Sequence, residues 1–175
     1  MPELAGTNPL VEIGVGLGSN SGDKPAKIRQ ALALLESRGA VRVVALSSIY
    51  RTSPWGYLDQ DVFANACALA KTRLDPGALL AEVKAVECSM GRQETIRWGP
   101  RLIDIDLLFY GDFPLETPNL TLPHKELFNR GFVLVPLAEI APTLRLEGRS
   151  IAEAAARLDT SGIEKWQDKT ACALD

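Results

Sequence analysis

Up to Gly111 the hydrophobic pattern changes period in a fixed order, between the alternation of a strand and the three-and-four spacing of a helix, and that order narrows the fold more than any other feature of the chain. Val11 to Leu17 (VEIGVGL) alternates as a short strand, and the turn cluster GSNSGD caps the next element. Asp23 to Arg38 reads as a helix. Ile28, Ala31, Leu32 and Leu35 share its buried face, Lys24, Lys27, Arg29 and Glu36 are left for solvent, and Gly39 ends it. Val41 to Tyr50 is rich in β-branched residues and predicts a second strand, and RTSPWGYLDQD a long loop carrying Trp55 and Tyr57. Phe63 to Leu74 is a third strand, and Asp75 and Pro76 open a second helix that closes on Gly91. RQETIRWGPR is too polar and broken for regular structure, and LIDIDLLFYG gives a fourth strand.

Strand, helix, strand, strand, helix, strand is the order of an α+β, ferredoxin-like βαββαβ core, with an antiparallel sheet and helices on one face. Beyond it come a turn-rich stretch around Pro114 and Pro118, a short helix near Val135 to Ile140 and an amphipathic helix near Ser150 to Leu158, forming a C-terminal extension. Repeats and linkers are lacking. The expectation is one domain over residues 1–175, with 1–10 and 160–175 peripheral or loosely held.

The 175 residues are 46% hydrophobic, enough to build a core unaided, and 19 Lys and Arg against 22 Asp and Glu give a formal charge of −3. That balance speaks against a broad basic face for nucleic acid or anionic membrane, so any polyanion bound must be small. Cys67, Cys88 and Cys172 form no CxxC pair, and His124 is the single histidine, so neither a zinc site nor a disulfide framework is indicated. With no apolar run near the roughly 18 residues of a membrane span and no basic, apolar leader, the expectation is a cytoplasmic protein with reduced thiols.

The strongest chemical signal is RWGPRLIDIDLLFY. Strand alternation puts Asp104, Asp106, Leu108 and Tyr110 on one face and Ile103, Ile105, Leu107 and Phe109 on the core face. Two carboxylates then stand side by side with Cα atoms roughly 6.5 to 7 Å apart. Each raises the other's pKa unless a cation intervenes, and oxygen-only ligands of this kind suit magnesium, which usually arrives with substrate phosphates. An isolated DxD is more often a half-solvated strand. Here Arg92, Arg97 and Arg101 lie just upstream, opposed only by Glu94, and arginines beside such carboxylates suit a triphosphate. GLGSN fits neither glycine-rich phosphate fingerprint and reads as a strand-to-helix turn. A lone histidine is more often structural than catalytic. Beside Arg130 and Phe132, His124 is a candidate phosphate or base contact, and Trp55 a candidate ring platform.

RWGPRLIDIDLLFYG, LPHKELFNRGFVLVPLAEIAP, the SSIYRTSPWG loop with Asn65 beyond it, and the opening GLGSN occur together in 6-hydroxymethyl-7,8-dihydropterin pyrophosphokinases of folate biosynthesis, which the chain resembles from about Ile13 to Pro142. The resemblance implies transfer of pyrophosphate from ATP to the pterin hydroxymethyl group with release of AMP. It assigns Asp104 and Asp106 to two magnesium ions and Arg92 and Arg101 to the phosphates. Trp98 matches an indole closing over the site, His124 and Arg130 match phosphate contacts, and Glu87 a carboxylate near the nucleotide. Trp55 and Phe132 match the pair that sandwiches the pterin, Phe63 lines the same pocket, Asn65 reads the ring's polar edge, and Thr52 and Ser53 add contacts. Glu94, Ser53, Trp55, Phe63 and Lys125 depart from the residues most frequent at these positions. The implied partners are the two small-molecule substrates, and a monomer is expected.

Overall fold

The computed structural model describes residues 3–53, 61–91 and 102–167. In chain order the elements begin with β1 (Val11–Ser19), α1 (Lys24–Ser37), β2 (Arg42–Leu46), β3 (Tyr50–Thr52), β4 (Phe63–Thr72), α2 (Pro76–Ser89) and β5 (Asp104–Tyr110). They continue as β6 (Leu115–Glu116), β7 (Thr121–Leu122), a 3₁₀ turn over Leu127–Asn129, α3 (Gly131–Ile140), β8 (Arg145–Leu146), β9 (Arg149–Ser150), α4 (Ile151–Arg157) and β10 (Ile163–Lys165). The main sheet runs β10-β3-β4-β1-β5, with β2 paired to the far half of β4, and every pairing is antiparallel.

The helix starts follow from the residues that predict them. Asp23 accepts the Ala26 N–H at 3.2 Å and Asp75 the Ala78 N–H at 2.9 Å, each followed by an early proline. Gly39 and Gly91 follow the helix ends with φ of 71° and 87°, a backbone region that glycine enters without strain. The single strand predicted over Val41 to Tyr50 is two. The Ser47 N–H still donates to the Cys67 carbonyl at 2.9 Å, but Ser47 Oγ accepts the Cys67 N–H at 3.0 Å and the Ser48 N–H and Oγ both donate to Glu139 Oε1, so side chains take over part of the ladder between β2 and β3. The short helix expected from Val135 begins at Gly131, because the Arg130 carbonyl already accepts from Val133 and Leu134.

Helices on one face describe only half of the arrangement. Ile13, Val15 and Leu17 of β1, Ala64, Ala66, Ala68 and Ala70 of β4, and Ile105 and Leu107 of β5 pack with α1 and α2 in the larger core. On the opposite face Cys67, Leu69, Leu108 and Phe109 pack with Leu127, Val133, Leu134, Leu137 and Ile151, so α3 and α4 cover part of that side too. The predicted alternation of β5 holds through Leu108, which lies on the aspartate face, and then shifts. Gly14 pairs with Phe109 and Val15 with Leu107, so Leu108 is an extra, bulged residue, which sends Phe109 to the α3 side and Tyr110 to the other, where its hydroxyl donates to the Leu74 carbonyl at 2.8 Å.

Candidate active site

Of the predicted site residues that lie among the described ones, all but Glu87 gather toward the α3 side of the sheet, and the sheet register sets the spacing of those on its strands. Gly18 pairs with Asn65 on β4 and with Asp104 on β5, and Gly16 pairs with Cys67 and Asp106. Gly14, Gly16 and Gly18 all present their bare faces on this side, and a Cβ would meet Phe109 Cε1 at 2.3 Å, Leu108 Cδ2 at 3.3 Å and Asn65 Oδ1 at 2.7 Å respectively. Between Asn65 and Asp104 the sheet is therefore floored by backbone. The strand expected to end at Leu17 continues through Gly18 and Ser19, so Gly18, read as part of the turn, lies with Gly16 inside β1, where they keep this floor low. The alternation of small residues in GVGLG was the signal in the sequence, but its meaning depends on which strands flank it.

At the β5 wall, Asp106 has 36% of its side chain exposed, yet burial, followed by the neighbouring Asp104 charge, pushes its carboxyl up to about 6, against the opposing pull of Arg130. Arg130 Nη1 lies 3.6 Å from Asp106 Oδ2, and its guanidinium sits 5.7 Å from the Phe132 ring centroid. His124 is tied to the same strand through its backbone, its N–H donating to the Leu108 carbonyl at 2.8 Å. Its Nδ1 accepts the Glu126 N–H at 3.1 Å, and burial followed by the Arg130 charge holds its pKa below the ordinary 6.5. The imidazole is neutral at pH 7 with its proton on Nε2, which makes that nitrogen a donor suited to a phosphate oxygen.

Glu87 reaches β5 from α2, on the far side of the strand from the aspartate pair. It is 1% exposed, and Oε1 accepts the Ile105 N–H at 2.8 Å, between the two aspartates in sequence, while Lys84 Nζ lies 3.4 Å from Oε2. It supports the strand that carries the aspartates.

The other wall is built from β3, β4 and the start of α3. Thr52 pairs with Phe63 and Tyr50 with Asn65. Asn65, 8% exposed, donates from Nδ2 to Thr52 Oγ1 at 2.7 Å, which fixes the amide orientation and turns Oδ1 over Gly18. Phe132 stands in the first turn of α3, half-buried, where Cys67 Sγ donates to the Val133 carbonyl at 3.4 Å. Ser53 follows β3 directly. Thr52, Ser53, Phe63, Asn65 and Phe132 thus gather on one side of the glycine floor, and Asp104, Asp106, His124 and Arg130 on the other. Trp55, Arg92, Glu94, Arg97, Trp98 and Arg101 lie outside the described residues.

The donor set fits magnesium. Asp104 and Asp106 offer only carboxylate oxygen, the raised proton affinity of Asp106 marks a place where positive charge is favourable, and magnesium takes one or two carboxylates and completes its octahedron with phosphate and water. Among the described residues no helix is long and apolar enough to cross a membrane.

Residues 14–142 match the family described as 7,8-dihydro-6-hydroxymethylpterin-pyrophosphokinase. The chain is 49% identical over 151 residues to the 2-amino-4-hydroxy-6-hydroxymethyldihydropteridine pyrophosphokinase of Methylorubrum extorquens, covering 86% of this chain and 96% of the relative. It is 42% identical over 156 residues to the protein of the same name from Bacillus subtilis, covering 89% and 90% of the two. Among solved structures, Plasmodium falciparum HPPK-DHPS with pteroate superposes with a TM-score of 0.71 at 16% identity, a likeness that speaks for the fold alone, covering 88% of this chain but only 43% of that one. The family match over residues 14–142 and the identity to these relatives over most of both chains show that the chain belongs to the 7,8-dihydro-6-hydroxymethylpterin-pyrophosphokinase family.

Proposed function

We propose that the protein, as a single cytoplasmic domain acting as a monomer, transfers pyrophosphate from ATP to the hydroxymethyl oxygen of 6-hydroxymethyl-7,8-dihydropterin, releasing AMP, in folate biosynthesis. The observation that carries the reading is the separation of two unlike walls by a side-chain-free floor: Asn65 and Asp104 face each other across Gly18. A flat heterocycle fits the Asn65 wall, where Phe132 stacks on its face, Phe63 lines the pocket, Thr52 and Ser53 add polar contacts and the Asn65 amide reads donor and acceptor atoms. A triphosphate fits the other, where His124 Nε2 and Arg130 donate to its oxygens. Trp55, as the second stacking face, Arg92 and Arg101 on the phosphates, and Trp98 over the nucleotide complete the assignment from the family motifs. The ferredoxin-like reading of the core is supported by the order β5-β1-β4 with β2 beside β4.

Asp104 and Asp106 would hold two magnesium ions. When bound, the metal neutralises the triphosphate and lowers the pKa of the attacking hydroxyl. The protein's part is positioning: Asn65 and Phe132 hold the hydroxymethyl carbon toward the floor, and Arg130 and His124 hold the phosphate chain above it, so that attack on the β-phosphorus becomes effectively intramolecular. His124, neutral with Nδ1 engaged, serves as a donor and takes no proton from the acceptor. The test is to mix protein, ATP, magnesium and 6-hydroxymethyl-7,8-dihydropterin and resolve the nucleotides. AMP appearing in step with dihydropterin consumption is expected. ADP would identify an ordinary kinase, and no nucleotide product would refute the assignment.

A further inference from the structure

The family match ends at residue 142, but the chain goes on and returns to the sheet. After α4, Ile163 pairs with Thr52, Glu164 with Arg51 and Lys165 with Tyr50, and the Trp166 N–H donates to the Ile49 carbonyl at 2.7 Å. This segment also meets residues that flank the Asn65 wall at three places. Gly162 faces Ser53, whose Oγ lies 3.6 Å from where a Cβ would stand. The Ile163 Cδ1 atom lies 3.0 Å from the corresponding point at Gly131, between Arg130 and Phe132. Trp166 places its indole 5.7 Å from Lys24 Nζ, and that ammonium, on a side chain only 9% exposed, pairs with Asp61 Oδ2 at 2.7 Å. Asp61 in turn accepts the Val62 N–H at 2.9 Å, next to Phe63.

We infer that Thr160–Trp166 is a positioning strap for the heterocycle half of the site, holding Thr52, Ser53, Phe63 and Phe132 in place without touching the ligand. Strand β3 has three residues, and a strand that short, paired on one side only, frays. β10 supplies its second partner. The Lys24 contacts then link the strap to the entrance of β4, since a cation enclosed between a carboxylate and an indole face favours one arrangement. The phosphate-side aspartates hang on β5, at the opposite edge of the sheet from β10, and the Trp166–Lys24–Asp61 link leads to the start of β4, so breaking that link acts on one substrate. A merely structural tail would affect both alike.

The inference rests on the reading given under Proposed function, and the measurements separate the two. Steady-state kinetics on Trp166→Ala should show the KM for the dihydropterin rising about five- to tenfold, with kcat and the KM for ATP within about twofold of wild type and Trp166→Phe close to normal. Lys24→Met, which cuts the link while leaving β10 paired, should show the same split in smaller degree, and it carries the test if Trp166→Ala fails to fold. Parallel rises in both KM values, or no rise in either, would overturn the strap. Amide exchange at Arg51–Ser53 gives a readout independent of activity. Faster exchange in Trp166→Ala is expected, and if the wild type made no AMP, the proposed function would fall while unchanged exchange would separately remove the strap.

Discussion

A methyl group added at Gly18 would stand 2.7 Å from Asn65 Oδ1. The amide would have to turn, breaking its bond to Thr52, so Gly18→Ala should weaken dihydropterin binding about tenfold or more while leaving ATP binding within about twofold, as measured by calorimetric titration of each substrate. Gly14 makes a useful contrast. There the added carbon would meet the Phe109 ring at 2.3 Å, in the closed part of the same face, so Gly14→Ala should cost ~1–3 kcal/mol in urea unfolding with near-normal kinetics in the molecules that remain folded. At the opposite wall, Asp104→Asn and Asp106→Asn should each lower turnover by ~10²-fold or more with the circular dichroism spectrum intact if, as proposed, their charges hold the metal. Wild-type AMP release by either variant would refute the metal assignment.

At the level of the elements, carboxylates repeatedly finish what the ladder leaves undone. Glu87 accepts from Ile105 on β5, Glu36 Oε1 from Val43 on β2 at 2.9 Å, and Glu139 from Ser48 between β2 and β3. Glu87→Ala would orphan a buried N–H and should cost ~1–3 kcal/mol, whereas Glu87→Gln, which can still accept, should cost less. Glu139 gives a pH signature. Burial works to raise its pKa, but the hydrogen bonds from Tyr50 and Ser48, with Lys165 nearby, hold it below the ordinary 4.5, while burial, then the bond to Glu139, pushes Tyr50 up to about 12. A carboxylate depressed in the folded state stabilises it above the unfolded pKa and loses that contribution as pH falls through the folded one. The stability advantage of wild type over Glu139→Gln should therefore shrink on acidification below 4.5 in thermal melts. These caps also mark where sequence reading stops. Helix α1, helix α2 and the Asp104–Asp106 pair were legible because their signals are local: a capping aspartate, a spacing, an alternation. The bulge at Leu108, the glycine floor, the grip of Glu87 on β5 and the return of β10 to β3 depend on partners distant in sequence, and no local period records them.

Among the described residues, α1 and α2 cover one face of the sheet, while α3 and α4 cover only part of the other and leave an open part toward Asp104 and Asp106, both half-buried. Substrates that bridge the open part should tie its two sides together, so ATP with magnesium should raise the melting temperature, and EDTA should remove most of that gain together with all turnover. At a hundredfold excess over Kd the linkage amounts to ~2.7 kcal/mol. Cys67, completely buried on that face and bonded to Val133, should resist alkylation in the native protein while the exposed Cys88 reacts readily. The glycine floor has a metric consequence. Asn65 and Asp104 sit on the strands either side of β1, so their backbones are held two strand spacings apart, roughly 9.5 Å, by hydrogen bonds that no side-chain substitution can stretch. The sheet acts as a ruler. An acceptor whose hydroxyl projects one carbon further from its ring would overrun the graduation that separates the two walls, and a single inhibitor joining a heterocycle to a phosphate chain would have to be cut to the same length.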